Sequence, residues 1–282
     1  MNILVINEMV NSSSFKSKVC KQNLIQVLAN LFENCENLQN SLALNEFRTC
    51  LFSILEAIAK NSKLLMANSK DILDLILPAI VKKIESESAD VRCQSLKAFT
   101  DFITQYLCDD KIYNCEDNTE STQTINELIL KKLFPHYGVI LTDADPMPLF
   151  GLKLLSVVVE RNSAFIVILN KLKLIEVIFE YFEISHPKFN AFTIKIARAI
   201  VQSREIELQE LMRFNIVQKM NGIFENVMRN NQEWCTDHLL DIINDILHMA
   251  SEIMKKQSDK PGQGAGGVAT FEGSAESKKI DT

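Results

Sequence analysis

A segment that recurs three times at a nearly fixed spacing constrains the fold of this chain more than any other feature. Each copy has a short apolar run followed by a polar or proline-containing opening and an apolar helix pattern. The copies lie at Leu133–Leu155, Leu174–Ile196 and Ile216–Leu240. A period of roughly 40 residues with two or three helices per copy is typical of stacked helical repeats. Such arrays present surfaces to partners, because each unit packs mainly on its neighbours.

Two prolines and one charged triplet extend the pattern towards the N-terminus. Leu77-Pro78 and Phe134-Pro135 fall at the same place in successive units, and a proline within a helix disturbs it by removing a backbone donor. Asp90-Val91-Arg92 resembles the HEAT motif, in which an acid and a base of neighbouring units line up; the alternative is an ordinary capped surface helix. The sequence predicts an all-α fold, a right-handed armadillo/HEAT-type helical repeat solenoid.

Composition divides the chain into an array and two ends. Only 8 glycines and 6 prolines interrupt 282 residues, and five of the glycines fall in the last 21 residues. We expect a flexible N-terminus at 1–14, a repeat array at 15–256 and a Gly-rich, disordered tail at 257–282. A polar, acidic insertion at 109–120 explains the wider spacing between the two prolines. It is interpreted as a solvated loop, although its carboxylates leave a cation site as the alternative.

Polar residues before the apolar runs predict where helices begin. Ser88 is expected to cap the helix that carries the charged triplet, and Asp145 the helix that starts at Pro146. Ser185 takes the same role one unit later. In the last unit, Asn230 followed by Glu233 matches a capping box.

Charge and cysteine content exclude several classes of protein. The net charge of −6 and the absence of a clustered basic face argue against nucleic acid as a main partner. Seven cysteines without a C-x-x-C pair are interpreted as reduced thiols, most of them buried, rather than zinc ligands or disulfides. No apolar run approaches the ~20 residues of a membrane span, and Met1–Ile6 lacks the basic start of a signal sequence. We therefore expect a soluble cytoplasmic protein.

No catalytic constellation is recognised. The sequence contains no phosphate-binding glycine loop, no nucleophile elbow, no zinc-protease motif and no kinase signature. The four histidines are interpreted as structural. We expect no catalytic residue, no metal, no cofactor and no small-molecule substrate.

Four cations are the candidate protein-binding residues. Lys97 and Lys153 share one repeat place, Lys195 falls within one residue of it, and Arg198 follows a turn later. Stacked units would bring them into a row on the inner helices, able to receive an acidic peptide. The alternative is a set of solvated cations unrelated to binding.

One stretch has a family resemblance. Asp145–Leu155, with Glu160–Phe165 after it, resembles the C-terminal armadillo/HEAT region of the Fused-related Unc-51-like pseudokinases, called Runkel in plants. The resemblance implies a microtubule-associated, cytoskeletal scaffold, which in ciliated organisms is connected with motile cilia and the axoneme. The kinase-like domain of that family has no counterpart in this sequence, so no nucleotide-binding residue is carried over. The alternative function is a regulatory or scaffolding subunit of a separate kinase or phosphatase.

Overall fold

The chain folds into two stacked layers of α-helices. A computed structural model describes residues 3–12, 22–34, 41–109, 112, 118–230 and 233–258, and it assigns no strand within those ranges. The helices are α1 (Ile3–Asn11), α2 (Gln22–Asn34), α3 (Ser41–Ala59), α4 (Ser62–Ala67), α5 (Ser69–Asp71 and Leu77–Lys83, joined by a π-helical turn at Ile72–Ile76), α6 (Ala89–Cys108), α7 (Asn118–Leu128, continued by a π-helical turn at Ile129–Leu133), α8 (Tyr137–Thr142), α9 (Met147–Arg161), α10 (Ala164–Lys171), α11 (Leu174–Tyr181), α12 (Ala191–Ser203), α13 (Leu208–Arg213), α14 (Ile216–Asn230) and α15 (Thr236–Ser258).

One layer runs without interruption through the array. Its members, which we call the B helices, are α1, α3, α6, α9, α12 and α15, and each packs against the next. The other helices, which we call the A helices, cover one side of this layer. Aromatic pairs join successive A helices: Phe134 contacts Phe165 with ring centroids 5.5 Å apart, and Phe179 stacks on Phe214 at 5.0 Å. The molecule is therefore the all-α helical-repeat solenoid that the 40-residue period predicts.

The two prolines occupy equivalent places. A five-residue π-helical turn ends two residues before Pro78, and another ends two residues before Pro135. Proline cannot donate the backbone hydrogen bond of a regular helix, and the wider turn accommodates that loss. The alignment of these two units from sequence is thus confirmed.

Short helices also appear in the second half of the array. Helix α10 precedes the equally long α11, and α13 precedes the longer α14, so the last units have the three-helix form typical of armadillo repeats. A lysine from the following unit closes each of the helices α8 and α11. Lys188 Nζ donates to the carbonyl of Leu141 at 2.8 Å, and Lys219 Nζ to that of Phe179 at 2.6 Å. Carbonyls in the last turn of a helix lack intrahelical partners, so each cation stabilises both the helix end and the junction between units.

The two ends and the insertion differ from the sequence analysis or lie outside the described residues. Residues 3–11, expected within a flexible start, form helix α1, with Ile6 and Val10 buried against α3. Their four-residue spacing is one helical turn, which gives the helix an apolar edge. Of the insertion at 109–120, residues 110, 111 and 113–117 lie outside the described part, and α7 begins at 118. Of the predicted disordered tail at 257–282, residues 259–282 lie outside it, while α15 extends to Ser258.

Several predicted helix caps are wrong. Pro146, not Asp145, is the N-cap residue of α9, and Asn190, not Ser185, caps α12. Asn230 is the last residue of α14 and does not begin α15. Ser88 stands at the N-cap of α6, but its side chain makes no capping hydrogen bond. Several polar residues precede each of these helices, so residue type alone does not identify the one that reaches the capping position.

Candidate protein-binding surface

The HEAT-like triplet joins two units through a half-buried ion pair. The guanidinium of Arg92 on α6 donates from Nε to Asp143 Oδ2 at 2.9 Å, and from a terminal nitrogen to Oδ1 at 3.0 Å. Arg92 also donates to the carbonyls of Ser86 and Glu87. Asp143 lies just before α9, in the next unit. The predicted alignment of acid and base between neighbouring units is present. The bidentate contact fixes the orientation of both the guanidinium and the carboxylate.

Two of the four candidate cations pair with the preceding B helix. Lys97 Nζ lies 3.2 Å from Glu56 Oε2 on α3, and Lys153 Nζ lies 3.0 Å from Asp101 Oδ1 on α6. Hydrogen bonds from Lys60 and then Lys97 lower the pKa of Glu56, so it is ionised at neutral pH. These pairs form an ion-pair ladder (Glu56–Lys97 and Asp101–Lys153) along the B layer.

The ladder stops between α9 and α12. Asp101, which receives Lys153, stands four residues after Lys97. The residue four after Lys153 is Val157, whose side chain has no oxygen that could pair with a lysine. Within the described residues, Lys195 accordingly has no carboxylate within 4.0 Å, whereas its counterparts on α6 and α9 each have one.

A groove opens at this interruption. It has a volume of about 470 Å³ and is lined from α9 by Val159 and Glu160, from the loop after α9 by Ser163, and from α12 by Lys195, Arg198, Ala199, Gln202 and Ser203. Two cations, one carboxylate and several uncharged donors and acceptors therefore line one depression. This combination suits a peptide segment that presents acidic side chains and backbone groups.

Arg198 is held in place from the far side of the groove. Its Nε lies 3.1 Å from Asp241 Oδ2, and a terminal nitrogen lies 2.9 Å from Nδ1 of His238, both on α15. Burial, followed by the nearby charges of Arg198 and Lys195, lowers the pKa of His238. The imidazole is therefore neutral near pH 7 and its Nδ1 can accept from the guanidinium. Asp241 thus positions one member of the predicted cation row.

A second depression surrounds the HEAT-like pair. It has a volume of about 540 Å³, with Ile84, Ile140 and Met147 as apolar lining and His136 beside Glu85 at 3.0 Å. Arg92 and Asp143 also line it. Arg92 and Asp143 pair with each other here, whereas Lys195 in the groove between α9 and α12 has no carboxylate within 4.0 Å among the described residues. Sequence analysis did not single out this depression, although Arg92 was recognised.

Other side chains that can bind metals or react are spread along the array. In the described ranges, no three His, Cys, Asp or Glu side chains come together as a metal site would require. Cys50 and Cys235 are buried, whereas Cys108 is exposed because it ends α6. Burial raises the pKa of the Cys93 and Cys235 thiols, which keeps them protonated and weakly nucleophilic. None of the helices that the structure describes combines the length and apolar character needed to cross a bilayer.

The stacked layers, the acid–base pairing between units and the polar groove define a helical-repeat protein of the HEAT type. The model of the family described as "Serine/threonine-protein kinase ULK4-like, HEAT repeats" matches residues 1–167. The chain belongs to that family, and the resemblance found from Asp145–Leu155 is confirmed.

One similar protein extends the match beyond residue 167. The chain is 25% identical over 231 residues to the Arabidopsis thaliana protein named serine/threonine-protein kinase RUNKEL. It is 31% identical over 140 residues to the Mus musculus protein named serine/threonine-protein kinase ULK4. These matches cover 81% and 49% of this chain, but only 16% and 11% of the two relatives.

One solved structure has a similar fold. The crystal structure of an engineered protein from the Northeast Structural Genomics Consortium matches with a TM-score of 0.53, covering 88% of this chain and 98% of that one. The sequence identity is 10%, so the likeness concerns the fold alone.

Proposed function

We propose that this chain is a non-catalytic scaffold that binds other proteins through its B layer, and that the groove between α9 and α12 is the principal contact. The observation that carries the proposal is the interruption of the ion-pair ladder at Val157. It leaves Lys195 beside Arg198 in a groove. Lys97 and Lys153, in contrast, each pair with a carboxylate on the preceding B helix. A partner segment with acidic side chains would complete the missing pairing.

The chemistry of the groove favours binding over catalysis. Arg198 and His238 are held by neighbouring helices, and the neutral imidazole of His238 is used as an acceptor for Arg198. HEAT-type arrays act by presenting extended surfaces of this kind. The absence of an enzymatic role is part of the proposal, since both relatives are named as kinases and this chain spans a small part of each.

The family resemblance supports a narrower version of the proposal. In it, the partners are cytoskeletal, and the chain associates with microtubules in the cytoplasm and, in ciliated cells, with the axoneme. The purified chain should then pellet with assembled microtubules. If it stays in the supernatant while captured partners include no tubulin or axonemal protein, the cytoskeletal version is wrong and only the general binding role survives.

The kinase names of the relatives favour a second candidate. Here the array holds a separate catalytic subunit, a kinase or a phosphatase, and acts as its regulatory arm. Affinity capture from cells followed by mass spectrometry distinguishes the two candidates. Tubulin and axonemal proteins are expected from the first, and a catalytic subunit from the second.

A charge reversal in the groove tests the binding surface itself. Lys195→Glu is expected to release the captured partner, and Lys132→Glu provides a control with the same charge change on an exposed A-layer position. Because one exposed ionic contact contributes only ~0.2–1 kcal/mol, the loss is measured as a ratio of captured partner between variant and control. Equal recovery with both variants, each folded, would place the binding surface elsewhere.

A further inference from the structure

The groove between α9 and α12 contains an unpaired anion as well as an unpaired cation. Within the residues that the structure describes, no nitrogen of a lysine, arginine or histidine lies within 4.0 Å of the carboxylate of Glu160. Glu160 is exposed on α9, and Lys195 on the opposite wall lacks a carboxylate at the same distance. The two groups thus line one depression without pairing with each other.

The register of the ion-pair ladder explains why Glu160 has no cation. Glu160 stands three residues after Val157, and Arg198 stands three residues after Lys195. Since Lys195 is the counterpart of Val157, the same register places Arg198 opposite Glu160. The guanidinium of Arg198 turns instead to α15, where Asp241 Oδ2 lies 3.1 Å from its Nε. Helix α15 therefore takes from Glu160 the cation that the register assigns to it.

The pKa of His238 on α15 shows that both unpaired charges act on the same region. Burial is the main cause of its lowered pKa, the charges of Arg198 and Lys195 lower it further, and the charge of Glu160 opposes them. One side chain on α15 is thus close enough to both Lys195 and Glu160 to be influenced by each. The two charges consequently face one space.

We propose that the partner segment is dipolar: it presents an acidic side chain to Lys195 and a lysine or arginine side chain to Glu160. The inference rests on the proposed binding function of the groove and specifies the ligand of that site. Lys195 and Glu160 are offset by about one helical turn, which is roughly 5 Å along the helix axes. Side chains two residues apart on an extended segment are about 7 Å apart, so one short segment can meet both groups.

Glu160 then determines which segments the groove accepts. A segment with acidic side chains only would place one of them near the carboxylate of Glu160, and like charges oppose binding. A segment with basic side chains only would meet the like charges of Lys195 and Arg198. The groove therefore selects a mixed charge pattern over a uniform one.

Selection from a displayed library of random linear peptides tests this charge pattern. The folded full chain is the immobilised target, and enriched peptides are expected to contain an acid and a base within a few residues of each other. Selection on Glu160→Lys should retain the acid and lose the base, whereas selection on Lys195→Glu should lose the acid. Glu180→Lys makes the same charge change at an exposed position of α11, and this matched control should reproduce the pattern of the unaltered chain. Circular dichroism confirms that each variant is folded.

A double-mutant cycle with one enriched peptide assigns its basic residue to Glu160. Replacing that basic residue by alanine should weaken binding to the unaltered chain by about two- to five-fold, the contribution of one exposed ionic contact. The same replacement should have no effect on binding to Glu160→Gln, because the contact is already lost there. Fluorescence anisotropy of the labelled peptides measures the dissociation constants.

The possible outcomes separate this inference from the function on which it rests. Peptides that require Lys195 but carry only acids would overturn the dipolar ligand and leave the binding groove intact. A basic residue that contributes equally to binding by the unaltered chain and by Glu160→Gln would have the same meaning. Peptides that bind Lys195→Glu as well as the unaltered chain would overturn the groove as the binding surface, and the inference with it, as would a selection that enriches no peptide.

Discussion

At the scale of single residues, the packing of α8 against α9 depends on Gly151, which has no side chain. The phenolic oxygen of the buried Tyr137 donates to the carbonyl of Gly151 at 2.5 Å. A Cβ atom on Gly151 would lie 2.8 Å from Ile140 Cγ2, closer than packed side chains approach. The short motif from which the family resemblance was recognised therefore contains a glycine that close helix packing requires.

Two glycine substitutions should have opposite effects on stability. Gly222 on α14 has open space around its missing Cβ, so Gly222→Ala should raise the free energy of unfolding by ~0.4–1 kcal/mol, since alanine restricts the unfolded chain. Gly151→Ala should lower it, because overpacking typically costs ~1–3 kcal/mol and exceeds that gain. Urea unfolding followed by circular dichroism measures both. If Gly151→Ala proves as stable as Gly222→Ala, the α8–α9 junction is looser than described.

The pH dependence of stability should identify a buried tyrosine. Burial raises the pKa of Tyr106 to about 12, against the ordinary value of 10.0. The folded chain therefore keeps this proton at a pH where the unfolded chain releases it. The contribution of Tyr106 is present below pH 10 and is lost as the pH rises towards 12.

Comparing the unaltered chain with Tyr106→Phe isolates this effect. Phenylalanine cannot ionise, so the variant should lose less stability between pH 10 and 12, by roughly 2–3 kcal/mol for a shift of about two units. Urea midpoints at several pH values within this window provide the measurement. Parallel curves for the two proteins would mean that Tyr106 is ionised as easily in the folded state as in the unfolded one.

At the scale of helices, the start of α12 is the best-defined boundary. The side chain of Asn190 accepts from the backbone nitrogens of Phe192 and Thr193, and the Thr193 hydroxyl accepts from the backbone nitrogen of Asn190. This reciprocal capping box sets the helix that carries Lys195 and Arg198. Its position therefore also fixes one wall of the proposed binding groove.

Substituting two N-cap residues should distinguish a cap that makes a side-chain hydrogen bond from one that makes none. Asn190→Ala should cost ~1 kcal/mol of unfolding free energy, because it leaves two helix-start donors without their acceptor. Ser88→Ala should be nearly neutral, since the Ser88 side chain makes no capping hydrogen bond. Thermal and urea unfolding of both variants provide the comparison. An equal loss in the two variants would contradict the assignment of the caps.

The sequence predicted the layers better than the helix boundaries. The period from Leu133 to Leu240 and the prolines at Pro78 and Pro135 reflect packing that repeats in every unit, so the pattern is visible in the residues themselves. The start of α12 was missed because Thr193 takes the place that glutamate or glutamine holds in the usual capping box. A local polar residue does not reveal which register the neighbouring helices impose.

The candidate binding residues were predicted as a row but not as a ladder. The repeat spacing aligns Lys97 and Lys153, but their partners Glu56 and Asp101 belong to the preceding helices and are matched only after stacking. The useful signal was the valine at 157, where the ladder requires an acid. Its meaning emerges only when the residues four positions after each lysine are compared.

At the scale of the whole molecule, a continuous B layer runs from α1 to α15, and Lys195 has no carboxylate within 4.0 Å among the residues that the structure describes. Units of such arrays interact mainly with their neighbours, so the layer acts as a semi-rigid support for the groove at α9 and α12.

Photo-crosslinking from the groove tests the central claim most directly. A photoreactive amino acid is placed at Gln202, which lines the groove, and in a second chain at Lys132 on the A layer. After irradiation in cells, position 202 is expected to give discrete adducts with other proteins, and position 132 is not. Adducts of equal yield from both positions, or adducts from position 132 alone, would contradict a scaffold that binds its partners through the B layer.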